Sequence, residues 1–253
     1  MKLDNKNIIL TGASAGIGKE LLNILSLYEG VKIVAIARHT ENIPQTENIY
    51  PYSADVSTQE GVDSVFNFAK KTFGNTDIFI ANAGFAYLEK LETPDWKHIE
   101  NIFTLNVFSP IYSLEKLSQD SVKQKAFVCT ISGAGLASLP AYSLYCSTKA
   151  ALHHFVKTYR YEKQNNLQIT AVYPVATRTD FFDKATGEKD TPLPWPRQDS
   201  KTVAKKIIKG IERGKRQVFP SLLFRIFYPI GRAFPFMLNI YSLLEKRKVK
   251  NWL

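Results

Sequence analysis

The sequence predicts an α/β protein with a doubly wound parallel sheet, in which short buried strands alternate with amphipathic helices. Three observations lead to this fold class. A strand, a glycine-rich turn and a helix follow one another in residues 7–27. Strands and helices then alternate as far as residue 220, which is typical of a parallel sheet. The 253 residues, 45% of them hydrophobic, suffice for one large core.

The first turn has the composition of a phosphate-binding loop. Residues 7–11 form a buried strand, and residues 11–18 read Thr-Gly-Ala-Ser-Ala-Gly-Ile-Gly before a helix that extends to residue 27. Glycines allow a pyrophosphate to approach backbone N–H groups at a helix N-terminus, where the dipole favours negative charge. The spacing G-x-x-x-G-x-G departs from the usual dinucleotide fingerprint, so the flanking strand and helix support the assignment.

The second strand, residues 32–37, ends in Arg38. An acidic residue normally follows this strand and binds the ribose 2′-hydroxyl of a bound dinucleotide. A guanidinium instead suits a 2′-phosphate through charge-assisted hydrogen bonds. Discrimination of roughly 2 to 3 kcal/mol corresponds to about 30- to 150-fold in affinity. The alternative interpretation is an ordinary surface arginine.

The remaining elements are assigned from apolar periodicity and breakers. About eleven residues, with Pro44 among them, separate the second and third strands, and we expect a loop there instead of a helix. Further strands are predicted at residues 49–53, 77–81, 126–131, 168–173 and 217–219. Helices are predicted at residues 59–73, 96–117 with a break near Pro110, 142–163 and 201–213. Residues 179–196, which contain three prolines around Trp195, are predicted to form a loop or lid.

A tyrosine and a lysine at helical spacing form the main candidate for chemistry. Tyr145 and Lys149 share one face of the predicted helix, and a nearby cation favours a phenolate. Ser132 follows the fifth strand and can direct its hydroxyl at the same point. Tyr145 then serves as a general acid or base. Taken alone, such a pair is weak evidence, because it is more often a half-buried tyrosine beside a solvated lysine.

In order and spacing, a larger group of residues resembles the short-chain dehydrogenase/reductase family over roughly residues 5–220. The residues that carry this resemblance are Thr11, Gly12, Gly16, Gly18, Asn82, Ala83, Gly84, Asn106, Ser132, Tyr145 and Lys149. The resemblance implies a single Rossmann-type catalytic domain, residues 1–220. It also implies a nicotinamide dinucleotide that exchanges hydride with a carbonyl/alcohol pair, and a homodimer or homotetramer.

The resemblance also implies roles for individual residues. Tyr145 is the proton donor or acceptor, and Ser132 binds the substrate carbonyl. Lys149 lowers the pKa of the tyrosine and holds the nicotinamide ribose, and Asn106 supports a proton relay. The implied cofactor contacts are Gly12, Ser14, Gly16, Ile17, Gly18, Arg38, Asp55, Val56, Asn82, Ala83, Gly84, Tyr145, Lys149, Pro174, Thr177 and Thr179. Family members with arginine at the position of Arg38 use NADP(H). Val175 stands where the family usually has glycine.

The basic charge of the chain is confined to its C-terminus. Residues 1–200 contain 20 Lys/Arg against 21 Asp/Glu, whereas residues 201–253 contain 13 against 2. The extension at residues 221–253 combines these charges with many aromatic residues, and two prolines and two arginines interrupt any span long enough to cross a bilayer. Peripheral attachment to an anionic membrane is one interpretation. Packing over the cleft or against a second subunit is another. Nucleic-acid binding lacks a recognition motif.

Composition limits the compartment and the class of function. The N-terminus lacks the long apolar core of a signal peptide, and Cys129 and Cys146 have neither a disulfide framework's number nor a zinc site's spacing. We therefore expect a cytoplasmic protein with reduced thiols and no metal. An NADPH-dependent reductase of a small apolar, lipid-like carbonyl compound is the leading hypothesis. A non-catalytic dinucleotide sensor or membrane scaffold on the same fold is the alternative.

Overall fold

A computed structural model gives the fold and describes residues 1–162, 165–187 and 191–250. This part of the chain contains nine strands. They are β1 (Asn7–Thr11), β2 (Lys32–Ala37), β3 (Ile49–Ser53), β4 (Ile78–Ala81), β5 (Lys125–Thr130), β6 (Leu167–Val172), β7 (Ala176–Thr177), β8 (Arg197–Gln198) and β9 (Gln217–Val218). Seven of them form one parallel sheet in the order β3-β2-β1-β4-β5-β6-β9, and β7 pairs with β8 in a second small sheet.

Helices connect most of the strands. They are α1 (Gly16–Leu25), α2 (Gln59–Phe73), α3 (Trp96–Phe103), α4 (Ser109–Ser118), α5 (Ser143–Tyr159), α6 (Asp183–Thr186), α7 (Ser200–Glu212), α8 (Leu222–Ala233) and α9 (Pro235–Lys248). A π-helical turn, Thr104–Phe108, joins α3 to α4. The predicted doubly wound α/β fold is confirmed.

Alternate residues of the strands feed two separate cores, one on each face of the sheet. On one face Ile8 and Leu10 of β1 pack with apolar residues of α1 and α7. On the other face Ile9 packs with Phe79, Phe127 and residues of α2, α4 and α5. Because successive strand side chains point to opposite faces, a strand buried on both sides is a nearly continuous apolar run.

The strand order reverses between β1 and β4. β2 and β3 lie on one side of β1, and β4, β5, β6 and β9 lie on the other. In such sheets the loops that leave the carboxyl ends of the strands at the reversal separate and open a crevice. Thr11 of β1 and Asn82 after β4 are both at this end of the sheet. The topology therefore places the binding crevice beside the glycine-rich turn.

Most predicted elements are present with shifts of a few residues. A loop connects β2 to β3, as expected, and β9 is the expected last strand. The predicted break near Pro110 is the π-helical turn that immediately precedes α4. The predicted helix end at residue 163, residues 188–190 of the predicted loop and residues 251–253 of the extension lie outside the described residues.

Two segments are more ordered than the prediction. The stretch predicted as a loop or lid contains α6, and Phe182, Ala185 and Thr191 within it are buried. Proline content alone gave no signal for this packing. In the extension, α8 continues through Pro229, and Pro235 begins α9. The two helices form a C-terminal hairpin, residues 222–248.

Candidate active site

A cleft of about 1250 Å³ opens at the carboxyl ends of the central strands. The glycine-rich turn, Ser132, Tyr145 and Lys149 line it on one side, and the C-terminal hairpin lines it on the other. All the residues predicted from the sequence to act in catalysis or cofactor binding line the cleft except Gly18 and Asn106. The fold therefore brings together in one site residues that lie more than 160 positions apart in the sequence.

The floor of the cleft is held together where β1 and β4 end. The Thr11 hydroxyl accepts hydrogen bonds from the backbone N–H groups of Asn82 and Ala83 at 3.0 and 3.1 Å. The Asn82 carboxamide in turn donates to the carbonyl oxygens of Thr11 and Gly12 at 3.3 Å. The same carboxamide accepts a hydrogen bond from Thr130 on β5. Asn82 therefore fixes the spacing of three strand ends beneath the glycine-rich turn.

The glycine-rich turn has the shape that a dinucleotide phosphate requires. Gly12 has a φ of +67°, and a Cβ there would lie 3.0 Å from the Cα of Ala83. A Cβ at Gly18 would collide with the carbonyl oxygen of Gly12, so glycine allows α1 to pack against the turn. The first turn of α1 has no side-chain cap and no acidic residue. Its N–H groups therefore remain available to an anion, and the residues fit the phosphates of a dinucleotide.

The far end of the cleft carries a cation beside a carboxylate. Arg38 is exposed at the cleft rim, and its backbone carbonyl accepts a hydrogen bond from Ser53 at 2.8 Å. Burial acts to raise the pKa of Asp55. Hydrogen bonds from the backbone and hydroxyl of Ser57, with the charge of Arg38, outweigh burial and hold that pKa below its ordinary value. Asp55 is therefore ionised. Val56, the next residue along the rim, is buried.

Ser132 occupies a strained backbone position after β5. Its φ of 104° and ψ of 151° fall in a region that essentially only glycine populates. The hydroxyl accepts a hydrogen bond from the N–H of Ala134 at 3.2 Å and so begins a short 3₁₀ turn, Gly133–Gly135. Strain of this kind persists only where surrounding contacts impose it, and it concentrates at functional sites. Here it directs the hydroxyl towards Tyr145.

Tyr145 and Lys149 are both buried on one face of α5. The Lys149 ammonium lies 5.6 Å from the centroid of the Tyr145 ring and donates a hydrogen bond to the carbonyl of Thr130 at 3.1 Å. A Cβ added to Gly84 would lie 3.4 Å from the Lys149 nitrogen. The backbone of Gly84 therefore passes close to the ammonium, and both residues line the cleft.

Burial dominates the pKa values of this pair. Burial raises the pKa of Tyr145, and the hydrogen bond with Ser132 opposes this only in part. Burial also lowers the pKa of Lys149 to about 8. Burial is the largest influence on the pKa of Tyr145 in this structure, and the lowering by Lys149 that the resemblance implies stays a prediction. Tyr145 is a neutral phenol that can donate a proton.

Asn106 lies behind the wall of the cleft, in the π-helical turn. Its carboxamide donates to the Phe85 carbonyl at 2.8 Å and to the Thr148 hydroxyl at 3.1 Å, and it accepts from the Phe85 N–H at 3.1 Å. The Thr148 hydroxyl donates to the carbonyl of Tyr145 at 2.8 Å. π-Helical turns often occur at functional sites. This one connects the segment after β4 to the helix that carries Tyr145.

The segment after β6 accommodates valine without strain. Outside glycine, the described backbone has a positive φ only at Asn5, Ser132 and Ala141, so Val175 needs no left-handed conformation. The Val175 carbonyl accepts hydrogen bonds from Thr177 and Gln198, which belong to the small β7–β8 sheet. The Thr179 hydroxyl then accepts from the N–H of Phe181. The departure from the family pattern therefore leaves an ordered path for the backbone.

The C-terminal hairpin forms the apolar wall of the cleft. Phe224 of α8 packs on Gly133, where a Cβ would lie 3.2 Å from the phenyl ring. On α9, the Tyr241 hydroxyl donates to the carbonyl of Trp195 at 2.7 Å, and Glu245 accepts from the Trp195 N–H at 3.3 Å. The hairpin is therefore bonded to the segment that follows β7. Packing over the cleft, one of the predicted uses of the extension, is present.

The family model for short chain dehydrogenases matches residues 6–190. This match covers well over half of the chain. The chain belongs to the short-chain dehydrogenase family. It is accordingly a dehydrogenase/reductase enzyme, and its sheet, glycine-rich turn and Tyr-Lys pair occur together as the sequence predicted.

Individual short-chain dehydrogenases resemble the chain at lower identity. The chain is 28% identical over 230 residues to the "Uncharacterized oxidoreductase DltE" of Bacillus subtilis, covering 86% of this chain and 89% of that one. It is 31% identical over 193 residues to the NADPH-dependent 1-acyldihydroxyacetone phosphate reductase of Saccharomyces cerevisiae, covering 71% and 63%. A short-chain dehydrogenase of Burkholderia cenocepacia, solved in complex with NADP, has the same fold with a TM-score of 0.82, 20% identity and coverage of 96% and 99%.

Sequence reasoning missed several residues that shape the site of this short-chain dehydrogenase. Phe85 binds Asn106, and Thr130 binds Lys149, both through backbone carbonyls that a sequence pattern does not reveal. Tyr142 lines the cleft one helical turn before Tyr145. Its spacing of three residues from Tyr145 could have predicted that the two side chains lie close together, since residues three apart share a helix face.

Proposed function

We propose that the protein is an NADPH-dependent reductase that converts the carbonyl group of an apolar, lipid-like compound to an alcohol. One observation carries the proposal. A neutral, buried Tyr145 and the Ser132 hydroxyl line the same cleft as the phosphate-binding turn and the apolar hairpin. A proton donor, a dinucleotide cradle and an apolar substrate wall therefore belong to one cavity.

The chain's own residues supply the acid and orient the substrate carbonyl. A bound nicotinamide would supply the hydride. Ser132 and Tyr145 donate hydrogen bonds to the carbonyl oxygen, where negative charge develops during reduction. Tyr145 then transfers its proton to that oxygen. Lys149 approaches the cofactor side of the cleft over Gly84, where its ammonium can bind ribose hydroxyls and replace the proton on Tyr145 through them. Because burial raises the pKa of Tyr145, the phenol stays protonated and can serve as the acid of a reduction.

Two features support a preference for NADP(H) over NAD(H). Arg38 follows β2 at the rim of the cleft, where its charge suits a 2′-phosphate. Among the residues described, none of the ion pairs observed involves Arg38, so its guanidinium can turn to the ligand. The yeast relative is named for its dependence on NADPH. That relative also acts on an acylated substrate, which agrees with the apolar wall seen here.

The experiment that tests the proposal follows NADPH oxidation optically with long-chain ketones and aldehydes. The unmodified protein should oxidise NADPH only when a carbonyl substrate is present. Tyr145→Phe keeps the ring but loses the transferable proton, so turnover should fall by roughly 10²-fold or more while the cofactor still binds. Retention of turnover in Tyr145→Phe would rule out this role, and a protein that binds NADPH without turnover on any carbonyl would be a sensor.

We further infer that the C-terminal hairpin attaches the enzyme peripherally to an anionic membrane. Apolar side chains of the hairpin that do not pack on the cleft face solvent, among them Phe234 and Phe236 with 54% and 60% of their surface exposed. Arg225, Arg232 and the basic end of α9 flank them. No helix within residues 1–162, 165–187 and 191–250 combines the length and apolar character needed to cross a bilayer. An apolar face bordered by cations suits the interfacial region.

We also infer a homodimer or homotetramer that pairs through the helices carrying Asn106 and Tyr145. Phe108 lies at the end of the π-helical turn and exposes 58% of its surface. The turn and α3 both pack against α5, so the exposed phenyl belongs to this group of helices. Burial by a second copy would remove that apolar surface from water. Light scattering at micromolar concentration should give a dimer or tetramer, and Phe108→Glu should shift it towards the monomer.

A further inference from the structure

The cleft has an apolar mouth beside the C-terminal hairpin. Four large apolar residues line the cleft and also expose about half of their surface to solvent. They are Trp195, Phe227, Ile240 and Leu244, with exposed fractions between 47% and 53%. Side chains that line a cavity and also meet solvent mark its entrance. The hydride-transfer chemistry proposed above does not require an apolar entrance, so this feature calls for its own explanation.

The apolar mouth continues onto the outer surface of the hairpin. On α9, Ile240 lies four residues from Phe236 and four from Leu244, and positions four apart share a helix face. On α8, Phe227 lies three residues before Ile230. Phe236 and Ile230 are exposed and do not line the cleft. Apolar side chains therefore follow one another from the outer surface of the hairpin into the cavity.

The hairpin is a fixed part of the fold. Gly231 is buried where α8 meets α9, and a Cβ there would lie 2.7 Å from the side chain of Leu238. The Ser242 hydroxyl of α9 lies 2.9 Å from the carbonyl oxygen of Ser138, within hydrogen-bond distance. With the bonds from α9 to residue 195, these contacts hold the exposed apolar residues at the mouth of the cleft.

The charge of the hairpin favours one kind of partner for this surface. Glu245 is the only acidic residue in the sequence of residues 222–248, and it is buried and paired with Lys248 at 2.6 Å. The basic residues Arg225 and Arg232 are exposed. A second copy packed against the same surface would bring like charges together. Anionic lipid would instead meet these cations with opposite charge, and the acyl chains near the headgroups would receive the apolar side chains.

We propose that the mouth of the cleft opens into the surface of an anionic membrane, so that substrate enters from the bilayer and the dinucleotide enters from water. This inference rests on the proposed function and refines its substrate class to carbonyl compounds that dissolve in a bilayer. The part of the rim that carries Arg38 and Asp55 is charged and suits the entry of a dinucleotide. The two ligands therefore reach one cavity from different phases.

The fluorescence of Trp195 tests where the mouth lies on the membrane. Trp96→Phe with Trp252→Phe leaves Trp195 as the single tryptophan of the chain. This protein is mixed with vesicles of phosphatidylserine and brominated phosphatidylcholine, in which bromine quenches nearby indoles. The emission of Trp195 should shift to shorter wavelength and lose intensity. The matched protein keeps only Trp96, which begins α3 outside the cleft, and its emission should change in neither respect.

Turnover supplies a second readout, with methyl tridecyl ketone in phosphatidylserine vesicles and methyl hexyl ketone in water. Phe234→Ser with Phe236→Ser removes exposed apolar surface outside the cleft. This variant should lose roughly tenfold or more of its turnover on the vesicle-bound ketone and less than about twofold on the dissolved one. Leu27→Ser, at an exposed position after α1, should change neither value.

Each other outcome counts against the proposal. Quenching of Trp195 no stronger than that of Trp96, or no binding to phosphatidylserine vesicles, would overturn it. Equal losses on the two ketones in the double serine variant would overturn it as well. If the double serine variant changes the oligomeric state in light scattering, a second copy covers this surface. Because fluorescence requires no turnover, quenching of Trp195 without reduction of any carbonyl would refute the proposed function and leave the position on the membrane standing.

Discussion

Asn106 and Phe85 bind each other twice, through the two ends of the asparagine carboxamide and the backbone N–H and carbonyl of the phenylalanine. A third bond, to Thr148, ties the same carboxamide to α5. Asn106 therefore positions the segment after β4 relative to the helix that carries Tyr145. Any proton relay through Asn106 depends on this positioning as well as on its chemistry.

Asn106→Ala should lower both stability and turnover. The substitution removes three buried hydrogen bonds and leaves the Phe85 carbonyl unpaired, so the free energy of unfolding should fall by about 2 to 4 kcal/mol. Urea unfolding measures this change, and Asn23→Ala on the exposed face of α1 is the control, with a change within about 0.5 kcal/mol. A loss of turnover at unchanged stability would mean that Asn106 acts chemically without a positioning role.

Two substitutions of Ser132 should separate strain from chemistry. Ser132→Ala and Ser132→Gly both remove the hydroxyl, and both should lose most of their turnover. Only glycine relieves the backbone strain at φ 104°. After allowance for the greater freedom of the unfolded glycine chain, Ser132→Gly should be more stable than Ser132→Ala by about 1 to 2 kcal/mol. Equal stability in urea unfolding would show that the backbone conformation stores no strain.

Lys149 should contribute a rise in stability with pH between about 8 and 10. Its pKa is about 8 in the folded protein and 10.5 as an ordinary lysine, so the unfolded chain binds more protons in this window. Stability increases with pH wherever the unfolded state binds more protons. The destabilisation is fully present below pH 8, and about 2 kcal/mol should be recovered by about pH 10.

Lys149→Met is the reference for this pH dependence. Methionine cannot titrate, so the variant should lack the rise, and the difference between the two unfolding curves isolates the lysine. The thiols of Cys129 and Cys146 contribute in the opposite sense above their ordinary pKa of 9.0, because burial raises their pKa in the folded protein. Tyr145 does the same above its ordinary pKa of 10.0. Parallel curves for the two proteins from about pH 7 to 10 would contradict the buried, shifted ammonium.

Arg38→Asp should weaken or reverse the preference for NADPH. Loss of the guanidinium removes the partner of the 2′-phosphate, and a carboxylate can bind a ribose 2′-hydroxyl instead. The ratio of kcat/KM for NADPH to that for NADH should fall by about 30- to 150-fold. Arg213→Asp, at an exposed position after α7, controls for net charge. Equal use of both cofactors by the unmodified protein would contradict the assignment.

Membrane attachment should depend on the exposed apolar residues of the hairpin and on salt. Each Lys or Arg near an anionic surface contributes on the order of 1 kcal/mol, and salt screens this part. The protein should co-sediment with phosphatidylserine vesicles more than with phosphatidylcholine vesicles, and high salt should release only a part of it. Phe234→Ser with Phe236→Ser should release the remainder.

The control for this experiment is Leu27→Ser, which changes an even more exposed apolar residue after α1. Substitution is preferable to truncation because Tyr228 of α8 stacks on Phe219 and on Phe224, and Phe224 contacts Phe219 in a tilted arrangement. Failure of the unmodified protein to bind phosphatidylserine vesicles at low salt would leave the hairpin as a wall of the cleft alone.

The sequence predicted the sheet and the reactive residues because both depend on local patterns. Buried strands are apolar runs, and the Tyr-Lys pair and glycine-rich turn have fixed spacings along the chain. Ser132 was placed correctly at the end of β5 for the same reason. Its positive φ was not predictable, because nothing in a serine signals a conformation that tertiary contacts impose.

Contacts between distant segments explain what the sequence did not predict. Phe182 packs against Tyr142, which lies far earlier in the chain, and Trp195 bonds to α9, which lies far later. The pKa of Tyr145 depends on how much surrounding structure excludes water, and burial raises it. Helical spacing predicted which residues lie together on one face of α5. The burial of those residues depends on the whole fold and could not be predicted from spacing.

The two bonds from α9 to residue 195 involve only its main chain, through the Tyr241 hydroxyl and the Glu245 carboxylate. The indole of Trp195, 53% exposed at the mouth of the cleft, is not needed for either bond. Side chains of other sizes at this position would therefore widen or narrow the entrance while the hairpin stays fastened. For enzyme engineering, residue 195 offers a way to change substrate scope that leaves the hydride-transfer residues untouched.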